Sequence, residues 1–236
     1  MKTNHQLLST KETPQSPEAE ALSGIESSYR IELIRKAIHL CSLSIPIFYF
    51  FTPKNVALVV FIPLTIAFLI VDVARYYHRP IEGWFYKSFG WLLRQRESDR
   101  EKKRLNGATY VLISATLAII IFPKFIAVTS FIILIISDLT AALVGRRFGK
   151  HKFFEKTLEG SIGFFMSALV IIILTPKIED YFGEYLIGAL AAAVGTIVEA
   201  LPIDFDDNLS VPLSVGATLW AAYSITYPLL NLYKFG

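Results

Sequence analysis

The residues able to do chemistry fall into four short stretches of this chain. They are Arg35-Lys36-x-x-His39; Ser137-Asp138-Leu139-Thr140 running into Gly145-Arg146-Arg147-Phe148-Gly149-Lys150; Lys156-Thr157-x-Glu159-Gly160-Ser161; and an acidic run from Glu199 through Asp204, Asp206, Asp207 and Asn208 to Pro212. Asp138 stands inside an apolar run, roughly 10 Å from the helix end at about 1.5 Å per residue. A lone carboxylate at that depth costs about 2.5–3.5 kcal/mol on insertion scales and therefore faces a cavity, a cation or a partner helix. Gly145 to Lys150 sets guanidinium forks and backbone N–H groups at a glycine-flexible turn, which suits a triphosphate. The spacing is not that of a Walker loop: Gly-x-x-x-Gly-Lys is one residue short, and His151 stands where a metal-holding hydroxyl belongs. Alone, the cluster also reads as a loop whose cations only set topology.

Lys156 to Ser161 tips that balance, because Thr157 or Ser161 can cap the following helix and aim its positive end at phosphates. The acidic run supplies the complement. Glu199, Asp207 and Asn208 suit a role in binding Mg²⁺ or deprotonating a hydroxyl, while Asp204 and Asp206 suit an ordinary solvated turn.

Composition says what must position these groups. The 236 residues are 53% hydrophobic with mean hydropathy +0.49, and several apolar runs approach the roughly 20 residues that cross a bilayer. We expect an all-α polytopic membrane protein of about seven transmembrane helices. The spans run over 33–51, 56–73, 106–122, 125–144, 161–174, 185–201 and about 212–227, and a short aromatic segment at 81–93 reads as an interfacial helix. Residues 1–28, rich in Ser, Thr, Glu, Pro and Gln, read as a disordered cytosolic tail. Net charge +3 argues for no nucleic-acid partner, and the single cysteine, Cys41, excludes an intramolecular disulfide. The Gly188 to Gly195 face of small residues suits close helix packing, within the chain or between copies in a homo-oligomer.

Cation placement orients the spans. Arg35 and Lys36, the Arg75 to Arg104 region and the Arg146 to Lys156 region alternate with segments holding only Lys54, Lys124, Lys177 and Lys234. The positive-inside rule then gives a cytosolic N-terminus, with the basic and acidic loops both on the cytoplasmic face. His39 sits one helical turn beyond Arg35 and Lys36, deeper than a topogenic residue needs to be.

The four stretches together resemble the family of dolichol kinase, phytol kinase and CTP-dependent diacylglycerol kinase. The resemblance runs in order from about Glu32 to the closing Asp207-Asn208-Leu209-x-Val211-Pro212. It implies that residues 29–236 form a transmembrane catalytic unit. That unit moves the γ-phosphate of CTP to the hydroxyl of a membrane lipid, with Mg²⁺ as the divalent cation. On that reading Asp138, Glu199 and Asp207 are catalytic, and Asp138 and Asp207 hold the metal. Arg146, Arg147, Lys150, Lys156, Thr157, Glu159 and Asn208 bind the nucleotide, and Arg35, Lys36, His39 and Asn106 meet the lipid substrate. Two other readings stand beside it. The central motif is also similar to that of phosphatidate cytidylyltransferases, whose longer C-terminal signature is absent here, and a non-enzymatic membrane protein would carry the same spans. The acceptor alcohol and the preference for CTP over ATP are not legible in the residues.

Overall fold

The computed structural model describes residues 31, 34–93, 103–202 and 205–234. The expected N-terminal tail, the mixed-sign run from Arg94 to Lys102, and Asp204 lie outside the described residues.

The fold is all-α. Helix α1 spans Ile34–Phe51 and tightens through a turn at Ser42 and Leu43, where Ser42 N–H donates to the His39 carbonyl at 3.0 Å. There follow α2 (Lys54–Ala74), α3 (Arg79–Phe89) with a 3₁₀ turn at Gly90–Leu92, α4 (Gly107–Ile121), α5 (Lys124–Phe148), a hairpin of β1 (Lys152–Phe153) and β2 (Lys156–Thr157), then α6 (Leu158–Leu174), α7 (Phe182–Ala200) and α8 (Asp207–Thr226). Among the described residues, five helices are long and apolar enough to cross a membrane: α1, α2, α5, α7 and α8. Helices α4 and α6 are apolar but shorter, with 15 and 17 residues.

Helix α5 is the axis of the bundle. Ile126, Phe131, Ile133, Leu134 and Ile135 along it are buried, and it packs on α1, α4, α6 and α8. Lipid is as apolar as these side chains, so close fit rather than water exclusion holds such helices together. The small-residue face of α7 provides that fit within the chain: a Cβ added to Gly195 would meet Val215 of α8 at 2.6 Å, and Ala191 and Ala192 beside it are fully buried. Helices α1 and α2 are peripheral and present Ile47, Phe50, Phe51, Val59, Ile66 and Ile70 outward, as lipid-facing helices do.

Two of the boundaries that differ from the sequence expectation bear on the site. Helix α5 does not end at Val144 but continues to Phe148, because nothing before Gly149 breaks it and Arg146 and Arg147 favour the negative end of the helix dipole. The acidic connection is likewise shorter than Glu199 to Pro212. Asp206 caps α8, its carboxylate accepting from Asn208 N–H, so that Asp207 and Asn208 are already helical and Pro212 lies inside the helix.

Candidate active site

Where α5 meets α6, two glycines let the backbones close up. A Cβ on Gly145 would meet Thr157 Oγ1 at 2.8 Å, and one on Gly160 would meet the Ala141 carbonyl at 3.0 Å. Gly145 is therefore a packing residue inside a helix. The expected glycine-flexible phosphate turn is corrected: Arg146 and Arg147 ride the last turn of α5 and are exposed with Lys150, and none of the three lines the cavity described below.

The hairpin folds back from this point. Lys152 pairs with Thr157 and Phe153 with Lys156, across a turn that holds Phe154 at φ 50°. Glu155 N–H at its tip donates to the Ala200 carbonyl at 3.4 Å, fixing the hairpin to the end of α7. Thr157 caps α6 by accepting from Gly160 N–H. Glu159 is engaged by His151, whose Nδ1 lies 2.8 Å from the carboxylate.

This docking delivers Lys156 between two carboxylates. Its ammonium lies 2.9 Å from Glu199 Oε1 and 3.0 Å from Asp207 Oδ2. Burial works against that charge, but Asp207 and Glu199 outweigh it and hold the lysine pKa above its ordinary value, so Lys156 stays cationic across the physiological range. Glu199 is 3% exposed, and its other oxygen is buried with no hydrogen-bond partner among the described residues. Next to Asp207, Asn208 donates from Nδ2 to Asp206 Oδ1 at 2.6 Å. Pro212 has no N–H to return to the Asn208 carbonyl, which leaves that oxygen without its helical donor.

Asp138 faces the first helix. Lys36 Nζ lies 2.6 Å from Asp138 Oδ2, and His39 Nε2 lies 3.6 Å from the same oxygen. One helical turn thus presents both residues to one carboxylate, which answers the cost of a charge at this depth.

These groups form one end of a cavity of about 430 Å³. Arg35, Lys36, His39, Asn106, Asp138 and Asn208 make its polar end. Ile38, Phe68, Val71, Trp84, Phe85 and Phe89, from the peripheral helices, make the apolar wall. Glu199, Asp207 and Lys156 lie outside the lining; Asp207 is the sequence neighbour of Asn208, and Lys156 ties it to Glu199. Ile38, Phe68 and Trp84 in this wall are exposed, so the apolar part of the cavity is not closed off from the surface.

Asp72 and Arg75, at the end of α2, do more than close a span with charge. Both side chains are fully buried, Arg75 Nε lies 2.8 Å from Asp72 Oδ1, and Asp72 Oδ2 accepts from Asn106 N–H at 2.7 Å. Asn106 Oδ1 in turn caps α4 by accepting from Thr109 N–H at 3.0 Å. Opposite charges three residues apart in an apolar run were the signal for this pair.

Among the described residues, no three His, Cys, Asp or Glu side chains are gathered closely enough to hold a metal ion. Mg²⁺ takes one or two carboxylates and fills the rest of its shell with water and substrate phosphate, so its binding would not need such a group. Asp138, Asp207 and the unpartnered oxygen of Glu199 are hard oxygen donors of the required kind.

Fold and site together define an integral membrane protein with an amphipathic cavity at one end of its bundle. No family model matches the sequence, and no solved structure matches it. An uncharacterized protein of Rickettsia prowazekii is 34% identical over 189 residues, covering 79% of this chain and 92% of that one, and the chain belongs to the same family. CTP-dependent diacylglycerol kinase 1 of Schizosaccharomyces pombe is 28% identical over 169 residues, 63% of this chain and 73% of that one. The chloroplastic farnesol kinase of Arabidopsis thaliana is 34% identical over 133 residues, 50% of this chain and 43% of that one. These relatives support a lipid-kinase family.

Proposed function

We propose that this protein is a CTP-dependent lipid-alcohol kinase, transferring the γ-phosphate of CTP to the hydroxyl of a diacylglycerol or an isoprenoid alcohol. The observation that carries the reading is the two-faced cavity: an apolar wall not closed off from the surface, ending at Lys36, Asn106, Asp138 and Asn208. A lipid alcohol has that same division between tail and hydroxyl. The named kinases among the relatives support the donor and the acceptor class.

Phosphoryl transfer asks mainly for positioning and charge neutralisation. Lys156 and Lys36, which meet the carboxylates, and Arg35, which lines the cavity, would neutralise the phosphates, while Arg146, Arg147 and Lys150 would attract the nucleotide from the exposed surface. Asp138 and Asp207 would hold Mg²⁺, which would supply positive charge to offset that of the phosphates. Glu199 or Asp207 would accept the hydroxyl proton, and His39 would orient the acceptor beside Asp138. Thr157 and Glu159 fix the start of α6, and their contribution to the nucleotide is through the hairpin they hold. The cation distribution supports a site on the cytoplasmic face.

Purified protein incubated with CTP, Mg²⁺ and a panel of diacylglycerol, polyprenol and farnesol tests this reading. Phosphorylated lipid from at least one alcohol is the expected result, and no product from any of them would overturn it.

A further inference from the structure

The Asp72–Arg75 pair is tied to the cavity on two sides. Arg75 Nη2 donates to the Arg104 carbonyl at 2.9 Å and to Tyr76 Oη at 2.8 Å, and Tyr76 Oη itself donates to the Arg104 carbonyl at 2.6 Å. The guanidinium lies 4.7 Å from the centre of the Tyr76 ring and 4.6 Å from that of Phe85. Phe85 is the one buried residue of the eleven in α3, and it lines the cavity. The opposite oxygen of Asp72 holds the backbone of Asn106, which lines the cavity from the start of α4.

One ion pair therefore joins the interfacial helix to the polar end of the cavity. Within α3, Phe85 alone is seated in the interior, while Trp84 and Phe89 on either side of it are exposed and line the cavity, so the wall they form is registered by where Phe85 sits. An ion pair alone can often be replaced by apolar side chains of like volume. A planar cation stacked on two rings with a forked donor at its edge cannot be replaced by lysine, whose ammonium is a compact point charge.

We propose that Arg75 is a positioning residue for the acceptor. It clamps α3 through Phe85, so that Trp84, Phe85 and Phe89 stay in place as the wall against the lipid tail, and it sets the affinity for that tail without touching the reacting atoms. This rests on the reading of the cavity as the acceptor site.

The test uses the full chain in nanodiscs with two variants. Arg75→Lys keeps the charge, and the double variant Asp72→Asn/Arg75→Met removes both charges while leaving an acceptor for Asn106 N–H. Both are expected to raise KM for a long-tailed alcohol about tenfold with kcat within about twofold, the pattern of lost uniform binding. KM for a short water-soluble alcohol should not move, and amide exchange over Arg79–Phe89 should quicken about tenfold. An unchanged long-tail KM, or an equal loss with both alcohols, would overturn the clamp. Should the parent protein phosphorylate no alcohol, the kinase reading falls and the clamp is judged by crosslinking a prenyl alcohol with a tail diazirine. Crosslinks within Trp84–Leu93 that fade in both variants support it, and crosslinks that persist in them, or that never form there in the parent, overturn it.

Discussion

Helix α7 carries a buried glutamate near each end, and the two are treated in opposite ways. Glu184, 1% exposed, accepts from the N–H groups of Ile178, Glu179 and Tyr181 at 2.8, 3.1 and 3.1 Å and from the Tyr223 hydroxyl at 3.1 Å. Glu199, 3% exposed, has Lys156 on one oxygen and, among the described residues, no hydrogen-bond partner on the other. Burial and residue type are the same, so neither separates a structural carboxylate from a reactive one. Saturation does: a carboxylate whose lone pairs are already filled by backbone donors has nothing left to offer a substrate, whereas a buried oxygen without a donor is costly to keep unless something else uses it.

That contrast can be broken at either end. Glu199→Gln and Asp138→Asn should each lower turnover about 10²–10³-fold, the range for removing one preorganised polar group from an active site. The unfolding midpoint should stay within about 2–4 °C of the parent, the equivalent of about 1 kcal/mol in a chain of this size. A collapse of the fold in Glu199→Gln would make that residue another Glu184. Glu184→Ala should do the reverse, leaving several donors stranded at about 1–3 kcal/mol each. Its melting point should fall well below the parent's while the folded fraction keeps its turnover per molecule. Lys156→Met should fall between the two, with turnover lost about 100-fold and stability lowered by about 1 kcal/mol because the ammonium is partly exposed. The smallest expected effect is Asp206→Ala, which removes the cap of α8 and should cost about 1 kcal/mol in chemical denaturation.

Much of the fold was legible because the apolar runs are long and the punctuation between them is sharp. Pro123 between α4 and α5, and the polar stretch between α6 and α7, mark turns that any reading of the chain would find. The boundaries around the site were harder. Arg146 and Arg147 look like loop residues by charge but suit the last turn of a helix equally well, and only the close approach of Gly145 to Thr157 decides between them. Of the candidate site residues, Arg35, Lys36, His39, Asn106, Asp138 and Asn208 come together around one cavity, and Lys156 meets Glu199 and Asp207. Spacing along one helix accounts for the first three. Nothing local to the sequence fixes which carboxylate a lysine on a distant hairpin will reach. The Asp72–Arg75 pair was missed for a related reason: charges near the end of an apolar run read as topogenic, and their burial depends on Phe85 and Asn106, which come from other elements.

The kinase reading requires the γ-phosphoryl group of CTP, not the cytidylyl group, to reach the lipid, and the identity of the transferred phosphorus tests it most directly. Membranes holding the protein are supplied with CTP radiolabelled at either the γ or the α phosphorus, and the lipid fraction is counted. Label should enter lipid from the γ position alone and disappear with Asp138→Asn. Label retained in lipid from the α position would mean that a cytidylyl group had been transferred, and would contradict the kinase.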